Sequence, residues 1–159
     1  MRIHKRGSHA AAVIVTLALC GCGSSSSSPS LSKQQLASKM NAICTKYRAK
    51  IAAVPQPADV IQNHTSAARY FDQIAPLYDQ AIAEMRVLKP AGDVKAQWDT
   101  LVAKFAAVSG VIDQIRTKAD HADSTGIALL GRLAPLTSGA NLAATNLGAT
   151  GCSGGSTGG

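Results

Sequence analysis

Residues 93–120 read DVKAQWDTLVAKFAAVSGVIDQIRTKAD and have the clearest helical pattern in the sequence. The large apolar residues of this stretch recur at alternating steps of four and three, which places their side chains on one face of an α-helix. Asp93 is suited to the N-cap position. We therefore predict one long helix that faces the core of a helical bundle along Val94, Trp98, Leu101, Phe105, Val108, Ile112, Ile115 and Ala119.

Two more helices are predicted ahead of this stretch. The first begins at Ser32, which is followed three residues later by a glutamine in a capping-box pattern, and it ends before Pro55. The second begins between Asp59 and Thr65 and contains Pro76. Because a proline inside a helix removes a hydrogen bond and crowds the preceding turn, we expect a kink or a break at Pro76.

A fourth helix follows and has the weakest pattern. Asp123 or Ser124 can cap its start, and Gly148 is placed as its C-terminal cap. Its interior contains residues that destabilise helices, by roughly 1 kcal/mol for glycine and 3 kcal/mol for proline relative to alanine. These are Gly126, Gly131, Pro135 and Gly139. Four helices with short links predict an all-α protein, an up-down four-helix bundle over residues 31–152.

The N-terminal segment has the pattern of an export signal. Arg2, Lys5 and Arg6 precede an apolar run over residues 10–19. Such a run is too short to span a bilayer as a helix, which takes roughly 20 residues, so it indicates a cleaved signal. The whole chain carries a formal charge of +7, and the loss of residues 1–21 leaves 13 basic and nine acidic residues, or +4.

The end of this signal contains two cysteines. Residues 19–22 read LCGC and are followed by Gly23 and five serines. This pattern resembles the lipobox of bacterial lipoproteins, in which the cysteine after the small residue is diacylated and becomes the new N-terminus. The resemblance implies a signal peptide over residues 1–21 and a lipidated Cys22 with palmitate-type acyl chains. The Gly/Ser composition of the rest of residues 22–30 predicts a flexible linker. The alternative is an ordinary secretory signal with two incidental cysteines.

A diacylated Cys22 implies a location on the extracytoplasmic face of the cell membrane, because two acyl chains attach a protein firmly. Of the other cysteines, Cys20 leaves with the signal, so Cys44 and Cys152 remain. Disulfides persist in exported proteins, and this pair therefore predicts one bridge that closes a loop of 108 residues. A redox or metal-binding pair is the alternative. We expect residues 153–159 to be a disordered tail.

Two short motifs surround the predicted bridge. Residues 41–44 read NAIC on the first helix, and residues 149–152 read ATGC after the fourth helix. Together with the proline-rich link after the first helix, they resemble a group of small helical bacterial lipoproteins and secreted proteins of unassigned function. The resemblance implies the helical bundle and the bridge, and it brings no catalytic residues.

The sequence lacks the common catalytic motifs. The sequence contains no GxSxG, Walker, HExxH or CxxCH motif. Glu84 is the only glutamate, whereas di-iron bundles need several. Basic residues form no run interleaved with aromatic residues, which argues against nucleic-acid binding. We therefore predict a protein that is not an enzyme, takes no cofactor and binds no nucleic acid.

One set of residues has the chemistry of a metal site. In an up-down bundle, the first and third interhelical links lie at the same end. The first link holds Asp59 and His64, and the third holds Asp120, His121 and Asp123. Imidazole nitrogens and carboxylate oxygens together suit divalent metals. The alternative is that these are solvated loop residues and helix caps, because their spacing is not diagnostic of a metal.

The predicted core also has room for a ligand cavity. Ala81, Ala140 and Ala143 lie on the apolar stripes, and the cores of helical bundles can hold ligands. Close packing of the helices is the alternative. The sequence thus predicts a membrane-anchored extracytoplasmic lipoprotein, a non-enzymatic binding or scaffold module with the membrane and an envelope protein as partners. A small-ligand or metal-binding sensor or carrier is the alternative function.

Overall fold

The computed structural model describes residues 29–153, and the all-α prediction is confirmed there. The predicted signal peptide, Cys22, most of the linker and residues 154–159 lie outside the described residues. None of the described helices combines the length and the apolar character needed to cross a bilayer. The helices are α1 (Lys33–Ala52), α2 (His64–Arg86), α3 (Lys95–Asp120), α4 (Thr125–Ala128) and α5 (Leu130–Leu147), followed by a 3₁₀ helix (Thr150–Cys152).

The starts of α1 and α2 agree with the sequence. The capping box of α1 is formed, because the Ser32 hydroxyl accepts from the Gln35 N–H and the Gln35 side chain accepts from the Ser32 N–H. Asn63 caps α2 by accepting the N–H groups of Thr65 and Ser66. At the N-termini of α1 and α2, side chains thus accept hydrogen bonds from backbone N–H groups that lack an acceptor within the helix.

The start of α3 differs from the sequence prediction. The N-cap is Val94 rather than Asp93, and no side chain caps the helix. The reason is the preceding turn, in which the Val94 N–H donates to the Ala91 carbonyl at 3.1 Å. Val94 is buried in the core, so burial rather than a capping carboxylate fixes this end of α3.

Of the kink or break expected at Pro76, the break does not occur, because α2 is one helix from His64 to Arg86. Pro76 leaves the carbonyl of Asp72 without its helical partner, but Asp72 is exposed and water can serve this group. Ile74, Ala75 and Ala81 are buried on either side of the proline. Packing therefore maintains the helix despite the missing hydrogen bond.

The fourth predicted helix consists of two pieces, α4 and α5, that meet at Leu129. The N–H of Leu129 donates to Gly126, and the N–H of Arg132 donates to Leu129, so the junction is a tight turn. A Cβ atom at Gly126 would lie only 2.8 Å from the Lys118 Cβ, which shows how closely α4 approaches α3. Gly148 ends α5 in the left-handed region at φ 92°, as predicted.

The buried residues form two hydrophobic clusters at opposite ends of the helices. The disulfide-end cluster contains Leu36, Ala37, Met40, Ile43, Tyr47, Ala81, Met85, Val94, Trp98, Leu101, Ala144, Leu147, Ala149 and Cys152. The loop-end cluster contains Val60, Ala67, Phe71, Ile74, Ala75, Val108, Val111, Ile112, Ile115, Ala119 and Ala140. Each cluster joins residues from several helices, and the partly buried Phe105 packs against both clusters.

An isolated bridge lies beside the disulfide-end cluster. The N–H of Leu31 donates to the Lys89 carbonyl at 2.7 Å, and the Leu31 carbonyl accepts from the Ala91 N–H at 2.8 Å. The segment before α1 is therefore paired with the link between α2 and α3.

Candidate functional site

The predicted bridge between Cys44 and Cys152 is present, with 5.2 Å between the two Cα atoms. The segment after α5 is held along α1 by further contacts. The Gly151 N–H donates to the Asn41 side chain at 2.8 Å, and the Arg48 guanidinium donates to the Gly151 carbonyl. The bridge thus connects α1 to the end of the weakest helical segment.

A cavity of about 190 Å³ lies beside this bridge and is surrounded by α1, α2, α3 and α5. Its wall is mainly apolar, and the disulfide forms part of it. The polar side chains on the wall are those of Tyr47, Arg48, Tyr78, Thr137 and Asn141. The remaining lining residues are Cys44, Ile51, Ala81, Ile82, Met85, Phe105, Val108, Ala140 and Cys152.

The helix patterns explain why this space stays open. Ala81 and Ala140 lie on the wall, as the sequence suggested, whereas Ala143 does not. Alanine side chains leave volume that larger residues would fill. On α1, Cys44 and Ile51 flank Arg48 at steps of four and three, so all three share the helix face that borders the cavity.

We take the mouth of the cavity to be the side lined by α1 and α5, because the one exposed residue of its wall lies on α1. Arg48 is exposed there, and Ile51, Thr137 and Asn141 are half-buried. Sequence reasoning missed Arg48, Thr137 and Asn141. The spacing of Arg48 from Cys44 could have shown that it lies on the bridge-facing side of α1. The positions on α5 carry no comparable signal, because glycine and proline interrupt its pattern.

Two tyrosines on the wall have shifted pKa values for different reasons. Burial raises the pKa of the Tyr78 phenol, and the nearby Tyr70 adds to the shift. The Tyr47 hydroxyl donates to the Glu84 carboxylate at 2.7 Å, which raises the pKa of Tyr47. Hydrogen bonds from Lys46 and Tyr47 lower the pKa of Glu84, so this carboxylate is ionised and paired. Tyr78 therefore remains a neutral polar group on the wall.

The residues considered for a metal site are not brought together. Within residues 29–153, no three His, Cys, Asp or Glu side chains are grouped so that they could hold a metal ion. The Asp123 carboxylate accepts from Lys118 at 2.7 Å and from Thr125 at the start of α4, and these contacts lower its pKa. Asp59 accepts from the Asn63 side chain.

The other metal candidates have different surroundings. Asp120 is exposed at the end of α3, and His121 follows it as the C-cap residue. The His64 Nδ1 atom is buried and has no hydrogen-bond partner among residues 29–153. Among the described residues, His64, His121 and Asp120 do not form one group of potential metal ligands.

No protein-family model, curated protein or solved structure matches this chain. The cavity and the sequence patterns are therefore the observations from which a function can be argued.

Proposed function

We propose that this chain is a lipid-anchored, extracytoplasmic and non-enzymatic binding module whose bundle takes up a small apolar ligand. The cavity between α1, α2, α3 and α5 carries the proposal. An engineered cavity of about 150 Å³ with aliphatic and aromatic walls binds benzene. The present cavity is slightly larger and suits a single ring or a short alkyl chain.

The proposed architecture is an up-down four-helix bundle, with α4 and α5 together as the fourth helix. The composition of the two clusters supports it. The disulfide-end cluster joins the C-terminal part of α2 to the N-terminal part of α3, and the loop-end cluster joins their opposite parts. The C-terminal part of α5 belongs to the disulfide end, as an antiparallel neighbour of α3 would.

The wall of the cavity supports binding rather than catalysis. Among the described residues, it carries an arginine, an amide, one aliphatic hydroxyl and two phenols, but no carboxylate or imidazole. Its two cysteines are joined to each other. Such a wall can orient a ligand, but it lacks the acid–base pair or activated nucleophile that most hydrolytic and transfer reactions require.

The proposed anchor rests on the sequence before the described residues. A diacylated Cys22 would attach the bundle to the membrane through the Gly/Ser linker, where an envelope protein could meet it. Mass spectrometry of the membrane-extracted protein tests this. Cleavage before Cys22 with an added diacylglyceryl mass is expected, and an unacylated protein would overturn the anchor.

Ligand uptake is tested by titrating 1-octanol into the full-length chain in nanodiscs of zwitterionic lipid, with empty nanodiscs as the background. Ala140→Leu fills the cavity and should weaken binding at least about tenfold, since it removes the space that the alkyl chain occupies. Ala134→Leu, on the exposed side of the same helix, is the matched control and should bind as the parent does.

Because Ala140→Leu can strain the core, Ala81→Leu provides a second filled cavity from α2. Folding of each variant is checked by its thermal unfolding transition. Saturable binding that both filled variants lose supports the proposal. No saturable binding to the parent, or equal binding to the parent and both filled variants, overturns it.

A further inference from the structure

The charge at the cavity mouth points to the chemistry of the ligand. The helices on its two sides, α1 and α5, contain no aspartate or glutamate. Their charged residues are all cationic, namely Lys33, Lys39, Lys46, Arg48 and Lys50 on α1 and Arg132 on α5. Neither α1 nor α5 therefore places a carboxylate on the cavity wall.

Arg48 is the cation that belongs to the cavity itself. Its side chain is part of the wall and is exposed at the mouth, so it reaches both the apolar interior and solvent. It donates to the Gly151 carbonyl, and among the described residues it forms no ion pair with a carboxylate. A guanidinium has five N–H donors in a planar fork, so donors remain for an anionic group.

The neighbouring charges do not cancel Arg48. Glu84 on α2 contacts α1, where it is paired with Lys46 and hydrogen-bonded by Tyr47. Lys50 lies over the Tyr47 ring, with 4.9 Å between its Nζ atom and the ring centroid. The amide of Asn141 and the hydroxyl of Thr137 add hydrogen-bonding groups on the α5 side.

We infer that the ligand is a small amphiphilic monoanion, with an apolar body in the cavity and a carboxylate bound by Arg48 at the mouth. This inference rests on the proposed function. The cavity of about 190 Å³ has room for a body of one ring or a short alkyl chain. A cationic amphiphile of the same size is disfavoured, because its head would face Arg48 without a free carboxylate beside it.

The test compares octanoate, 1-octanol and octylammonium on the full-length chain in the same nanodiscs. These probes share an alkyl body and differ in the charge of the head. Octanoate should bind about fivefold more tightly than octanol, which is the scale of one exposed ion pair, and octylammonium should bind most weakly. The preference for octanoate should weaken as salt is added.

Arg48→Gln is the discriminating variant, because glutamine retains an N–H donor for the Gly151 carbonyl and loses the charge. It should bind octanol as the parent does and lose the preference for octanoate. Arg48→Lys should keep most of that preference. Lys39→Gln, which removes an exposed cation of α1 outside the cavity wall, is the control and should change neither affinity.

The outcomes separate this inference from the proposed function. Equal binding of octanoate and octanol to the parent, tighter binding of octylammonium, or an unchanged preference in Arg48→Gln overturns the anionic ligand while the binding module stands. Absence of saturable binding by all three probes overturns both. A preference for octanoate that depends on Arg48 supports both.

Discussion

Leu147 and Leu136 lie on the same helix, α5, but they are buried to different extents. Leu147 is 2% exposed in the disulfide-end cluster, whereas Leu136 and Leu133 only border the loop-end cluster and are half-buried. The disulfide end also has the bridge to α1 and the capping box of Ser32. From this difference we infer that α5 is stabilised mainly at its C-terminal end, where the chain is covalently linked to α1.

The largest effect should come from removing the bridge. Replacing both Cys44 and Cys152 by serine opens a loop of 108 residues, and in the chain-entropy model this lowers the free energy of unfolding by about 4 kcal/mol. Urea unfolding followed by circular dichroism measures the change. Reduction of the parent protein should reproduce it, and the double variant should not respond to reductant. A loss below about 1 kcal/mol would show that the bridge adds little to the disulfide end.

The next effect compares the two leucines of α5. Leu147→Ala leaves a cavity in the disulfide-end cluster and should lower the free energy of unfolding by about 3 kcal/mol. Leu136→Ala removes a half-buried side chain and should cost about 1 kcal/mol. Urea unfolding of both variants at one pH gives the two values. Equal losses would mean that the ends are packed alike.

A glycine pair should give changes of opposite sign. Gly148 has a φ of 92°, so Gly148→Ala should cost about 1 kcal/mol at the end of α5. Gly131 lies within α5 at the loop end, and an added Cβ would meet nothing within 4 Å. Gly131→Ala should therefore stabilise the protein by up to about 1 kcal/mol. Thermal unfolding of both variants checks the signs, and a gain at position 148 would contradict the capping role.

The smallest effects we expect are losses of stability at acidic pH. Glu84 at the disulfide end has a lowered pKa because of hydrogen bonds from Lys46 and Tyr47, and Asp123 at the loop end has one chiefly because of Lys118. A lowered folded-state pKa contributes stability above the ordinary carboxyl pKa, and this is lost as the pH falls through about 4 and below. Each side chain is more than a third exposed, so solvent screens the interaction and each loss is small.

The acid effect is measured as the urea midpoint at neutral pH and at a pH below 4. Glu84→Gln and Asp123→Asn should each lose less stability on acidification than the parent does. If both variants lose as much stability on acidification as the parent does, neither ion pair contributes to the acid sensitivity of the protein.

The sequence predicted the helices better than it predicted the site. The spacing of Trp98, Leu101 and Phe105 fixes the inward face of α3, and local capping chemistry located the start of α1 and the end of α5. The break at Leu129 and the N-cap at Val94 depend on turns and burial, which single-residue preferences do not contain.

The site needed tertiary information. Asp123 has a ligand's chemistry, but Lys118 and Thr125 are close in sequence and take its oxygens, so it does not join the other metal candidates. The cavity is lined by Ala81 and Ala140, which come from different helices. The same space brings Arg48 and Asn141 to one wall, and no local pattern in α5 indicates it.

The pairing of Leu31 with Lys89 and Ala91 has a mechanical consequence. Tension on the chain from its N-terminal side would reach these two backbone hydrogen bonds before it reached the first turn of α1. The force would then be shared between α1 and the α2–α3 link, so it would not act on α1 alone and separate that helix from the bundle.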